Sequence, residues 1–254
     1  RAVTGDISQI PPPDSLSSAS DTATGYAHAR KLVRDNAGTL HLIWHTDSGS
    51  LYRIRYATSV DNGISWTFQP DVFSSSYETY HPALAADNTY LYVAIPSRGG
   101  TGSPYQILFT RKLLSGGSWS APVSLMGGTF NAVRPDIFVD PTNGRVHVVG
   151  SSFDDSPFLY HRASTNQGTS WGTLNKFNPS GSTSNTRYAS VYANGDNIYV
   201  ATRTLSNQVF FTYYYLYTVR STNGGTTWTD QTQISSFLAL ISGEYGVSLA
   251  GVGN

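Results

Sequence analysis

Arginine is the residue type through which this chain is best equipped to do chemistry. It carries 13 arginines against 3 lysines, and a guanidinium offers a rigid planar fork that grips a carboxylate with two hydrogen bonds. Arg134 in VRPDIFVD and Arg187 in TRYASVYAN stand at the head of runs with β-branched and aromatic residues, and Arg30 opens the weaker run ARKLVRD. Arg203 closes another such run, NIYVATR. His81, Tyr188 and the pair Glu244 and Tyr245 hold corresponding places at run starts, and Asp47 one at a run end. Arginine, tyrosine and carboxylates gathered at one opening make a carbohydrate or carboxylate site. Glu244 and Tyr245 are not expected to cooperate, because neighbours on a strand face opposite ways. The competing reading is structural, with these arginines serving carbonyls or the few nearby acids at strand starts.

Other chemistries are excluded by what the chain holds. With no cysteine there are no disulfides, thiolate metal sites or cysteine nucleophiles. His41 and His45 in HLIWH suggest a metal pair, but His41, Tyr92, His147 and Tyr199 share one slot of a repeated run. A His/Tyr slot of that kind is framework, so no metal and no cofactor is expected. The glycine-rich RGGTGSP (98–104) has no helix after it to receive a phosphate. Lys plus Arg and Asp plus Glu both count 16, which gives no pull toward nucleic acid or an anionic membrane. No apolar run reaches membrane-spanning length. The charged fraction is 13% and tyrosine counts 17, a low-charge, hydroxyl-rich composition common in secreted and surface proteins. With Arg1 read as a processed start, the expected location is extracellular or at the cell surface.

The elements that must position these residues come from a repeat. SVDNGISW, STNQGTSW and STNGGTTW share Ser59/Ser164/Ser221, Asp61/Asn166/Asn223, Gly63/Gly168/Gly225 and Trp66/Trp171/Trp228. A degenerate copy keeps Gly116 and Trp119, with Lys112 and Leu114 in the Ser and Asp places. The four tryptophans are then 53, 52 and 57 residues apart, a period suited to propeller blades. Each period holds four strand-like runs: for example HPALAAD, YLYVAIP, YQILFTRK and the stretch leaving the box. The box falls at the turn between the third and fourth. Its Asp or Asn caps backbone amides, its Gly supplies positive φ and its Trp folds back as an apolar anchor.

These boxes resemble the Asp-box, or bacterial neuraminidase, repeat, and residues 28–237 resemble sialidase-like β-propellers. The resemblance implies an all-β fold of four-stranded antiparallel blades, about 28–75, 80–127, 133–180 and 187–237, with a fifth begun at 245. Residues 1–27 are expected to form an N-terminal extension or closing strand. Sialidases have six blades, three arginines that hold a sugar carboxylate, a Tyr–Glu nucleophile pair and an Asp acid. Arg134 resembles the family's arginine-before-proline motif, one residue tighter, whereas the first repeat has only AHARKLV. Three functions follow as expectations. The leading one is a non-catalytic extracellular module that binds glycans or a cell-surface polymer; the others are a sialidase-like exo-glycosidase and a subunit assembling through unclosed strand edges.

Overall fold

Alternating apolar and polar residues, rich in Val, Ile, Tyr and Thr, give sixteen strands and no helix among the described residues. A computed structural model describes residues 29–47, 50–155, 157–181, 185–207, 212–235 and 248–249. The first sheet holds β1 (Leu32–Arg34), β2 (Leu40–Asp47), β3 (Tyr52–Ser59) and β4 (Thr67–Ser75). The second holds β5 (Ala83–Ala86), β6 (Tyr90–Arg98), β7 (Tyr105–Leu113) and β8 (Val123–Gly127). The third holds β9 (Ala132–Val139), β10 (Val146–Ser152), β11 (Leu159–Ser164) and β12 (Asn175–Phe177). The fourth holds β13 (Asn185–Asn194), β14 (Asn197–Asn207), β15 (Thr212–Ser221) and β16 (Thr229–Gln233). Each is an antiparallel meander in chain order, and the first strands β1, β5, β9 and β13 are successive neighbours. This is the blade arrangement of a β-propeller.

Three apolar layers fill the spaces between the four sheets. Ile43 and Ile54 meet Leu84, Leu91, Val93 and Ile95 between the first and second. Ile107 and Phe109 meet Ile137, Val146 and Val148 between the second and third. Val149 and Leu159 meet Val191, Ile198 and Val200 between the third and fourth. Within a sheet, an aspartate caps the turn between the first two strands in three repeats. Asp35, Asp87 and Asp140 accept backbone amides from Thr39, Thr89 and Thr142 at 2.7–2.8 Å. The His/Tyr slot of the second strand belongs to this frame: His41 lies 3.1 Å from Asp35, and Tyr92 donates to Asp87 at 2.5 Å.

The boxes form hydrogen-bonded turns. Gly63, Gly168 and Gly225 donate their amides to Ser59, Ser164 and Ser221 Oγ at 2.8–2.9 Å. Asp61 accepts the Ser65 hydroxyl; Asn166 and Asn223 instead donate from Nδ2 to Ser170 and Thr227 at 2.8 Å. A hydroxyl works with either partner because it can donate or accept. The tryptophans do more than fold back. Trp119 meets Tyr56 edge-on at 5.5 Å, Trp171 meets Phe109 at 4.8 Å and Trp228 meets His161 at 5.2 Å. The boxes of the second, third and fourth sheets thus each pin their sheet to the one before it. Residues 1–27 and most of the expected fifth repeat lie outside the described residues; at Leu249 the amide donates to Ser190 Oγ on β13 at 3.0 Å.

Candidate functional site

The chain is kinked at one equivalent residue just ahead of β5 and within β9 and β13, the first strands of the second, third and fourth sheets. His81, Arg134 and Tyr188 have φ of 51°, 52° and 61°, a left-handed conformation that L-residues adopt at a cost. His81 and Arg134 each precede a proline, which disfavours the right-handed helical alternative. Arg134 and Tyr188 fall in the register breaks of β9 on β10 and β13 on β14, so each is the extra residue of a bulge that re-aims a side chain. All three are buried, at 6%, 4% and 0% exposure.

The bulges build a ladder of alternating rings and guanidinia. The Arg134 guanidinium lies 4.6 Å from the Phe153 ring and 4.7 Å from Tyr188. Arg203 lies 4.6 Å from Tyr188 and 4.6 Å from Tyr214. Arg187 stands 5.9 Å from Phe153, with Nε donating to Asn185 at 3.0 Å. Burial lowers the pKa of all three arginines, and mutual repulsion lowers those of Arg187 and Arg203 further. The neighbouring tyrosine hydroxyls act the other way and raise all three. Burial raises the Tyr188 phenol, and the arginines pull it partly back.

A second group borders the ladder through Tyr105, whose ring meets Phe153 edge-on at 6.4 Å. The Tyr105 hydroxyl donates to Glu78, and Arg98 pairs with Glu78 at 2.8 Å while lying 4.3 Å over the Tyr105 ring. Burial, then the bond to Glu78, push the Tyr105 phenol up. Asp47, at the end of β2, acts with Glu78 on Tyr52. Just ahead of β1, burial lowers Lys31 to about 8, and Asp136 partly offsets that. Asp136 is pushed up to about 6 by burial, against which the charge of Arg30 acts.

The sequence-derived residues therefore separate into groups. Arg134, Arg187, Arg203 and Tyr188 come together, and His81 couples electrostatically to Arg134. Arg30 stacks 4.9 Å from Phe138 and acts on Asp136 instead of the trio; Asp47 lies on the side of Tyr52 and Glu78. Glu244 lies outside the described residues. Phe153, Tyr214, Glu78 and Tyr105 escape the sequence reading, although Tyr52, Tyr105 and Tyr214 all stand seven residues ahead of a box start. A separate concavity of about 400 Å³ lies on the rim between β4 and the second box, lined by Tyr56, Asp71, Phe73, Lys112, Trp119 and Pro122. Among the described residues no group of three or more His, Asp or Glu is placed to hold a metal, and no helix is long and apolar enough to cross a membrane.

No known family and no curated protein matches the sequence. Solved structures do match the fold. An α-L-arabinofuranosidase from Fusarium graminearum shares 13% identity at a TM-score of 0.60, over 81% of this chain and 65% of that one. An ulvan lyase bound to -[GlcA(1-4)Rha3S]- shares 14% at 0.59, over 80% and 55%. A Trypanosoma rangeli sialidase shares 16% at 0.57, over 80% and 37%. This chain thus spans less than two thirds of each of these proteins. The likeness establishes a sialidase-like β-propeller fold.

Proposed function

We propose that this protein is a carbohydrate-binding β-propeller that captures an acidic sugar at the Arg134, Arg187 and Arg203 cluster, outside the cell or at its surface. One observation carries the reading: Arg134 and Arg203 both lie over the Tyr188 ring, and Arg134 and Arg187 both face Phe153, so three guanidinia converge on one place. Cations gathered in this way favour an incoming anion. Stacking holds the Arg134 and Arg203 planes in advance, which reduces the ordering cost of binding. The sugar class is supported by the fold neighbours, whose names specify an arabinofuranosidase, a polysaccharide lyase and a sialidase. The low-charge composition supports the location. The test is calorimetric titration with acidic and neutral monosaccharides. Arg187→Gln should weaken acidic-sugar binding about tenfold or more, as expected for one charge-assisted hydrogen bond. Equal affinity for neutral and acidic sugars would sink the reading.

A hydrolytic reading is favoured by the Tyr105–Glu78 hydrogen bond. In it, Glu78 takes the phenolic proton as the Tyr105 oxygen bonds to the anomeric carbon, and the glycosidic oxygen leaves with a proton from an acid such as Asp47. Release of 4-methylumbelliferone from an acidic glycoside, abolished in Tyr105→Phe, would establish it. No release by the wild type would leave binding as the function.

A further inference from the structure

We infer that the concavity beside the second box is a second sugar site, and that it takes a neutral saccharide. It shares no residue with the arginine cluster and stands independently of the acidic-sugar reading. Its volume of about 400 Å³ is that of a small-ligand site. It opens where the chain departs from its own repeat on both sides.

One wall is the second box. In the other three boxes a serine hydroxyl accepts the glycine amide. Here Lys112 stands in the serine place, and Gly116 donates its amide to the Leu113 carbonyl at 3.2 Å. The Lys112 ammonium crosses the turn to donate to the Gly117 carbonyl. The wall is held firmly to β7. Ser120 donates its amide to Arg111 O at 2.8 Å, and its Oγ accepts the Arg111 amide at 3.1 Å. The other wall is β4, where Pro70, Asp71 and Val72 together face Arg55 alone. That is two surplus residues, whereas β8 and β16 each carry one at their breaks. Bulges of this kind re-aim side chains, and this one brings Asp71 to the cavity, braced by Arg53 at 3.4 Å and Arg55 at 3.3 Å.

The lining narrows the ligand. Trp119, Phe73 and Pro122 supply apolar surface. Tyr56 adds its ring, because its hydroxyl is committed to His41 at 2.7 Å. Such surfaces suit the C–H face of a sugar ring. The charged groups are one anion and one cation: the Asp71 carboxylate only accepts hydrogen bonds and the Lys112 ammonium only donates them. An acid would meet Asp71 and an amine would meet Lys112. A purely apolar ligand would take water from both charges and replace none of it. Sugar hydroxyls donate and accept, so a neutral saccharide serves both groups and the rings together.

The test follows the indole N–H resonances of the isotope-labelled chain, with that of Trp119 assigned by its loss in Trp119→Phe. Cellobiose, lactose and maltose are the neutral probes, with methyl β-glucuronide as the acid, glucosamine as the amine and triproline as a peptide. A neutral disaccharide should shift the Trp119 resonance saturably, and the other three probes should not. Ser118 lines the cavity from an exposed position, so Ser118→Phe places a ring in it with little effect on folding, which thermal melts check. Ser118→Phe and Lys112→Met should each weaken the response about tenfold or more, the latter as expected for one charge-assisted hydrogen bond. Arg187→Gln should leave it unchanged. A Trp119 resonance that no neutral disaccharide moves, or that moves equally in Ser118→Phe, overturns the site. An equal response to glucuronide, glucosamine or triproline overturns its ligand. Loss of the response in Arg187→Gln would mean a single site at the arginine cluster and overturns the second.

Discussion

Arg203 lies between two tyrosine rings, each 4.6 Å from its guanidinium carbon, and that geometry needs a flat cation. A lysine would keep the charge but lose both stacked faces and the fork. Arg203→Lys should therefore weaken acidic-sugar binding nearly as much as Arg203→Gln in the same titration; full retention by Lys would show that charge alone matters. Glycine contacts give a second contrast at this scale. A Cβ on Gly225 would fall 2.2 Å from His161 Cε1, at φ +88°, whereas one on Gly116 would meet nothing within 4 Å, at φ +124°. Gly225→Ala should cost about 2 kcal/mol or more by overpacking and backbone strain, and Gly116→Ala about 1 kcal/mol from backbone strain alone. Urea unfolding midpoints measure the difference. Much of the arginine trio could be read from the sequence, because Arg134 and Arg187 sit near one register of a repeat. Phe153 could not, since it lies in a loop where the repeats share no residue.

The box is where a local motif becomes a tertiary device. Its Ser, Asp or Asn, and Gly were readable as a turn because all their hydrogen bonds close within four residues. The task of its tryptophan was not, because the ring it meets belongs to the previous repeat. Tyr56, Phe109 and His161 each stand three residues ahead of a box start, and each receives the tryptophan of the next sheet. In the fourth sheet Thr218 holds that place. Trp66 has no preceding sheet among the described residues, whereas Trp228 also stacks on Phe177 at 4.1 Å. Trp228→Ala should thus cost roughly 3–5 kcal/mol and Trp66→Ala much less, measured by chemical denaturation. Equal losses would mean that the tryptophan acts mainly within its own sheet.

At the scale of the whole molecule, the period near 53 residues disclosed four sheets because each repeat buries its face on a neighbour built the same way. The same logic exposes an acid-sensitive point in the third sheet. Where the second sheet stacks Tyr92 on Phe109 at 6.1 Å, the third stacks His147 on His161 at 5.3 Å. Both imidazoles are buried, with His147 Nδ1 3.0 Å from His161 Nε2. Burial lowers His147 to about 4 and His161 to about 3, from an ordinary 6.5. His81 is lowered to about 3 in the same way. Because the folded state resists protons that the unfolded chain accepts, stability is full above about pH 6.5 and falls as the pH drops toward 4 and then 3. Asp136 runs the other way. Raised to about 6 from 3.8, it loses stability as pH rises through 6 and regains it on acidification, offsetting about one histidine. The paired histidines should still cost on the order of 4 kcal/mol between pH 7 and pH 4.5. The double substitution His147→Tyr with His161→Phe installs the second sheet's own pair, and Gly225 already meets His161 as Gly168 meets Phe109. Melting temperatures should match wild type at pH 8 and exceed it progressively below pH 6.5. Parallel pH profiles for the two proteins would place the acid sensitivity elsewhere.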